Sequence, residues 1–264
     1  MSLFVMRGST LQIRNLSINF ASGELSSPIV EMGYDVFPLW LDIAVKSARA
    51  AERAAAELDG VWDGSGDPKI VSLLEKEVMA SMQAVVAAAA AVDGFYGSAL
   101  ARAPIISNNT KKARSRGRHR KLIAFFLQKF AIDTTFAKAF EQSLREIFEF
   151  RHSALHSHGK PEELGFHPRH NIAMAKKVVV FRAENAILAT KIALTLISYL
   201  IISPRSKHEE LQKYCHAARA WIVPIVSDWL SDHEESDLSL DWFAFGPSRH
   251  MFERKGLLPH WRHR

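Results

Sequence analysis

Apolar residues recur at intervals of three and four from Phe37 onward. In LWLDIAVKSARAAERAAAEL they fall among good helix formers, which predicts a long amphipathic helix ending at Asp59-Gly60. The stretch DGSGDPK at 63–69 reads as a turn, with Asp67 as an N-cap and Pro68 at the first helical position. A second long helix is predicted from Pro68 towards Ala101. Its alanines between Ala87 and Ala91 predict close packing on another helix, and Gly94 and Gly97 are expected to bend or end it. Residues 103–118 then form a polar, basic linker, expected to be exposed.

Beyond the linker, HRKLIAFFLQKF predicts a short helix, and Asp133, Thr134 and Thr135 supply caps for the next. That helix, TFAKAFEQSLREIFEFRHSALH, lines up Phe136, Phe140, Leu144, Ile147 and Phe148 on one face and stops at Gly159 and Pro161. KPEELGFHPRHN reads as a loop, VVVF as a brief strand or a helix lead-in, and Ala183 to Ser203 as a strongly apolar helix. A last helix spans about Ser206 to Leu230 with Pro224 near its end. Before Phe37, Leu11, Ile13, Leu16, Ile18 and Phe20 approach period-two alternation, which suggests a short strand or extended arm. The fold class expected is all-α, an up-and-down helical bundle. Its parts are an arm (1–36), the bundle (37–203) and a C-terminal helix with a tail (204–264).

Composition narrows the partners. Of 264 residues 48% are hydrophobic, enough for a sizeable core. The single cysteine, Cys215, has no thiol partner for a disulfide or a zinc site, which fits a reducing compartment. MSLFVMRGST lacks the charged opening and long apolar run of a signal peptide, and Val78–Val92 and Ile192–Ile202 read as buried helices, so a cytoplasmic protein without a membrane segment is expected. The net charge of +6 favours polyanions. Charge is also uneven: KKARSRGRHRK at 111–121 is densely basic, Asp228–Asp241 is acidic, and the closing SRHMFERKGLLPHWRHR is basic and aromatic.

One helix end carries candidate chemistry: EFRHSALHSHG, Glu149 to Gly159. Arg151 is followed by the polar His152 and, five positions on, by His156, at the end of an amphipathic helix. This arrangement resembles the HEPN superfamily of helical-bundle proteins, many of them metal-independent ribonucleases. The resemblance implies a homodimer acting on RNA, with no cofactor or metal and with 2′,3′-cyclic phosphate and 5′-hydroxyl products. It places such a protein among toxins or defence factors, where a cognate inhibitor protein is a further expected partner. Arg151 and His156 would be the chemical residues, with His152 and Glu149 organising them. The same spacing recurs at Arg114 and His119 inside the linker without a helical pattern around it, so helical context, not spacing, distinguishes Arg151.

Helical phase adds a constraint. Arg151 and His156 lie about 140° apart around an ideal helix, whereas His158 returns to within about 20° of Arg151. Either the last turn loosens, or a second copy completes the site, or His158 is the catalytic histidine. The basic run Lys111, Lys112, Arg114, Arg116, Arg118, Arg120 and Lys121 would follow an RNA backbone through phosphate contacts. His167 and His170 lie just beyond the motif and would line it or hold a phosphate. Two plainer readings stand beside this one. Arginine and histidine favour the last turn of any helix because they complement its dipole, and a helical module that only binds nucleic acid or protein accounts for the same charge pattern.

Overall fold

Small residues at helical spacing set the centre of the fold. α1 (Phe37–Val61) buries Ala44, Ala48, Ala51 and Ala55, and α2 (Pro68–Arg102) buries Ala84, Ala88 and Ala91, so small side chains predominate along a seam that Phe37 and Phe95 close at one end. Asp67 accepts the N–H of Lys69 at 2.7 Å, capping α2 one residue before Pro68, as the sequence predicts. The computed structural model describes residues 7–14, 29–103, 118–130, 132, 134–155, 163–202, 206 and 208–233. Among them are four further helices, α3 (Arg118–Lys129), α4 (Thr134–Leu155), α5 (Ala183–Ile202) and α6 (Glu209–Leu230). Two antiparallel hairpins complete the structure: β1 (Ser9–Arg14) with β2 (Ile29–Tyr34), and β3 (Leu164–Phe166) with β4 (Ala173–Ala175). The protein is mostly helical.

α5 lies across the α1–α2 pair, and the Thr190 hydroxyl donates to the Ala44 carbonyl at 3.3 Å. An aromatic run fastens the outer helices. Phe95 of α2 stacks on Phe126 of α3 with centroids 5.8 Å apart, and Phe126 meets Phe140 of α4 edge-on at 5.9 Å. The first half of α4 is thereby linked through α3 to the second half of α2. α6, assigned by sequence to the C-terminal part, gives Leu211, Cys215, Ile222 and Trp229 to the same core as the other helices. Arg49 of α1 pairs with Asp228 and Asp232 at 2.7 Å each, tying down the end of α6. Burial pushes the Cys215 thiol up to about 12, so this cysteine is an inert packing group.

Several expectations are corrected. Gly94 and Gly97 do not end α2, which runs on to Arg102. Gly94 is there for contact: a Cβ at this position would lie 3.2 Å from Cβ of Phe37, where α1 begins. Leu11 and Ile13 do lie in a strand, but its partner β2 was not foreseen, and Leu16, Ile18 and Phe20 fall outside the described residues. The stretch read as a loop contains β3, whereas VVVF takes the second of its two readings, a helix lead-in, as a turn before α5. α2 and α5 are also longer than their apolar runs, so that by length and composition both could cross a membrane. Half of the apolar window of α2 and 67% of that of α5 are buried within the bundle.

The two α2 glycines separate packing from propensity. Nothing lies within 4 Å of a Cβ added at Gly97, so Gly97→Ala should stabilise the protein by about 0.5–1 kcal/mol. Gly94→Ala, which presses on Phe37, should gain less or lose. Urea denaturation of the two variants measures the difference, and equal gains would contradict the close contact.

Candidate functional site

The last two turns of α4 carry the predicted residues. Leu144 and Ile147 are fully buried. Arg151 follows them in phase, about 20° from Leu144 and 40° from Ile147 around the helix, and so lies on the stripe that faces the bundle. It is half-buried, its Nε is buried without a hydrogen-bond partner, and its guanidinium lies 5.9 Å from the Phe148 ring centroid. No carboxylate among the described residues pairs with it.

Glu149 and His152 do not join Arg151. Glu149 is about 200° away around the helix, exposed, and meets Arg145 at 3.8 Å instead. His152 is exposed in the last turn. His156 and His158 fall outside the described residues, as do Lys111, Lys112, Arg114 and Arg116 of the basic run. Arg118 is engaged within the bundle: it pairs with Asp93 at 2.6 Å and its guanidinium lies over Tyr96 at 4.8 Å. Arg120 is exposed and Lys121 half-buried in the first turn of α3. The sequence reading also passed over Glu146, a buried carboxyl on α4 that accepts from Gln142 at 3.0 Å and whose pKa is raised by burial.

A second constellation occupies the end of the bundle where α1 finishes and α2 and α5 begin. Its inner layer is Glu77 of α2, His167 beyond β3 and Arg182 before α5, each no more than 2% exposed. Glu77 Oε1 accepts the Ala183 N–H at 2.9 Å, and its Oε2 lies 3.8 Å from His167 Nε2, too far for a hydrogen bond. Both ring nitrogens of His167 and all three nitrogens of Arg182 lack hydrogen-bond partners. The outer layer is wetter. Arg169 bridges Asp59 at 2.6 Å and Glu184 at 2.7 Å, and His170 meets Asp59 at 3.0 Å while stacking on His167 with centroids 5.2 Å apart. Trp62 packs on His170 at 4.8 Å.

These contacts correct the phosphate-holding role considered for His167 and His170. Three carboxylates, Asp59, Glu77 and Glu184, surround the basic groups, and Arg169 is already spent on two of them. Among the described residues no group of three His, Cys, Asp or Glu is arranged to hold a metal ion. Glu77 has a signal that sequence reading missed: it falls in phase with the buried Ile70, Leu73, Ser81 and Ala84. A carboxylate on such a stripe needs a buried partner.

Burial, then the nearby His170 and Arg182, push the His167 imidazole down to about 4. Burial raises the Glu77 carboxyl, against the Ala183 N–H and Arg169. The two groups act oppositely on stability. The fold favours neutral His167, a contribution complete above pH 6.5 and lost as pH falls towards 4, worth at most about 3 kcal/mol. The raised Glu77 gives its contribution below pH 4.5 and loses it as pH rises through the folded value.

Compared with known proteins, the chain matches no family model, no curated protein and no solved structure.

The opposition of Glu77 and His167 is separable by mutation. Between pH 7 and pH 5, the melting temperature of Glu77→Gln should fall more than that of the wild type, because only His167 then titrates. That of His167→Gln should fall less, or rise. Three parallel melting profiles would remove this pair from the acid response. At neutral pH Glu77→Ala should also cost more than Glu77→Gln, by about 1–3 kcal/mol, since only glutamine keeps an acceptor for the Ala183 N–H.

Proposed function

We propose that this protein is a metal-independent endoribonuclease of HEPN type, with Arg151 and a histidine from the stretch after α4, His156 or His158, as its chemical groups. The observation that carries the reading is Arg151 itself. It closes the bundle-facing stripe of a long amphipathic helix and has no carboxylate partner among the described residues, so its charge is available to an anion. A guanidinium in that state suits a phosphodiester, whose oxygens it meets in a planar, bidentate fork.

The chemistry requires only these two groups. An imidazole with a free pKa of about 6.5 takes the proton from the ribose 2′-hydroxyl. The 2′-oxygen then attacks phosphorus, the bond to the 5′-oxygen breaks, and the departing oxygen is protonated. Arg151 stabilises the charge that builds on the phosphoryl oxygens. Products are a 2′,3′-cyclic phosphate and a 5′-hydroxyl.

Glu149 and His152, on other sides of α4, serve on this reading as an outer surface and not as organisers of Arg151. Arg120 and Lys121, with the basic stretch before them, supply sequence-independent attraction for RNA. A second copy brings its own Arg151 and histidine to a shared cleft, which overcomes the divergence of the two side chains around a single helix. The setting proposed is cytoplasmic, as a toxin or defence factor.

Purified protein incubated with RNA in excess chelator should yield cyclic-phosphate ends. Arg151→Ala should slow cleavage by about 100-fold or more, the scale expected when a group that stabilises transition-state charge is removed. Of His156→Ala and His158→Ala, the one with the comparable loss identifies the catalytic histidine. Undiminished cleavage by Arg151→Ala, or by the double histidine variant, would sink the assignment.

A further inference from the structure

Residues 163–179 are held to the bundle by remarkably little apolar surface for their length of chain. Along this run His167 is the one buried residue, the His170 side chain is 6% exposed, and the rest are exposed or half-buried. The β3–β4 hairpin turns Leu164, Phe166, Ala173 and Ala175 outward to solvent, while its inward Gly165 packs on Val179 of the same segment. Apolar anchorage begins only at Val180 and Phe181, just before α5.

The attachment is therefore polar, and its inner layer is poorly satisfied. His167 Nδ1 and Nε2, Glu77 Oε2 and the three nitrogens of Arg182 are buried without hydrogen bonds. A buried polar group in that state costs the fold its desolvation, which water recovers once the group is uncovered. The outer ties from Arg169 and His170 to Asp59 and Glu184 involve carboxylates 45% and 41% exposed, a setting in which ion pairs contribute little. Segments with few buried apolar contacts open at low free energy while the core remains folded.

We propose that residues 163–179 form a strap that lifts from the end of the bundle as one unit while the helices stay folded, and that protonation of His167 favours the lifted form. The groups facing His167 come from every neighbouring element. Glu77 approaches from α2, Arg182 and Glu184 from the start of α5, Arg169 and His170 from the strap itself, and Asp59 from the end of α1 through its contacts with Arg169 and His170. Arg182 and Arg169 oppose a proton on the ring, Glu184 favours one, and burial sides with the arginines. In place, the ring titrates at about 4; lifted into water, it titrates at its ordinary value of about 6.5.

The strap follows directly on residues 156–162, which carry His156 and His158. On the ribonuclease reading, lifting is thus a means of regulating the same site. The strap itself stands on the geometry and needs no cleavage activity for its test.

Hydrogen exchange of the full-length protein, read by mass spectrometry at pH 7.5 and 5.5 and corrected for intrinsic rates, tests it. Three-residue strands do not hold a hairpin together in water, so lifting should release the protected amides of His167, Asn171 and Lys176 together. These should exchange well before those of α2 and α5. In Glu77→Gln, where the opposing carboxyl is gone, the open fraction should grow about tenfold between the two pH values. In Glu77→Gln/His167→Gln it should not change. Exchange of the strap only together with α2 and α5 would overturn the proposal, as would an open fraction in Glu77→Gln that ignores pH. RNA cleavage is not the readout, so failure here and failure of the ribonuclease assignment are told apart.

Discussion

Glu77 joins α5 to the central α1–α2 pair. Its carboxyl reaches from α2 to the first N–H of α5, at the positive end of that helix's dipole. That bond ties the start of α5 to α2. Around it Arg182 is buried, Glu184 and Asp59 lie at the rim, and Arg169 bridges them. The aromatic run from Phe95 to Phe140 fastens α3 and α4, the helix that carries Arg151, to α2. One polar bond and one apolar cluster together hold the helices that matter.

Arg182 and Arg151 illustrate different uses of one side chain. Arg182 is sealed, with carboxylates near it but none close enough for a hydrogen bond. Arg151 is half-buried on the inward stripe of α4, with an aromatic ring rather than an acid beside it. The first is a cost to the fold that the layers around it must carry. The second has no carboxylate partner among the described residues, and on the proposed ribonuclease reading it is the one that would meet a phosphodiester.

The helices were legible because their buried stripes repeat at three and four residues, and the Asp67-Pro68 cap was legible because both residues act locally. β3 and β4 were not. Strands of three residues have no periodicity to read, and their apolar side chains face solvent, the reverse of the pattern that marks a half-buried strand. The Glu77 cluster was hidden for another reason: its members stand at 59, 77, 167, 169, 170, 182 and 184, brought together only by the packing of α1, α2 and α5. Yet Glu77 announces itself by phase with Ile70, Leu73 and Ala84. The orientation of Arg151 was equally available from its phase with Leu144 and Ile147, which also shows why Glu149 cannot reach it.

The alanine seam between α1 and α2 bears on how this chain can change over evolutionary time. A helix pair at such close approach has no room for larger side chains, so drift at Ala44, Ala48, Ala51, Ala84, Ala88 and Ala91 is confined to residues of similar size. The exposed positions of the same helices, such as Glu52, Arg53, Glu75 and Lys76, carry no such restriction. Distant kin would then share a rhythm of small residues long after their charged surfaces had diverged. Kinship in this fold would be written in the sizes of side chains more durably than in their chemistry.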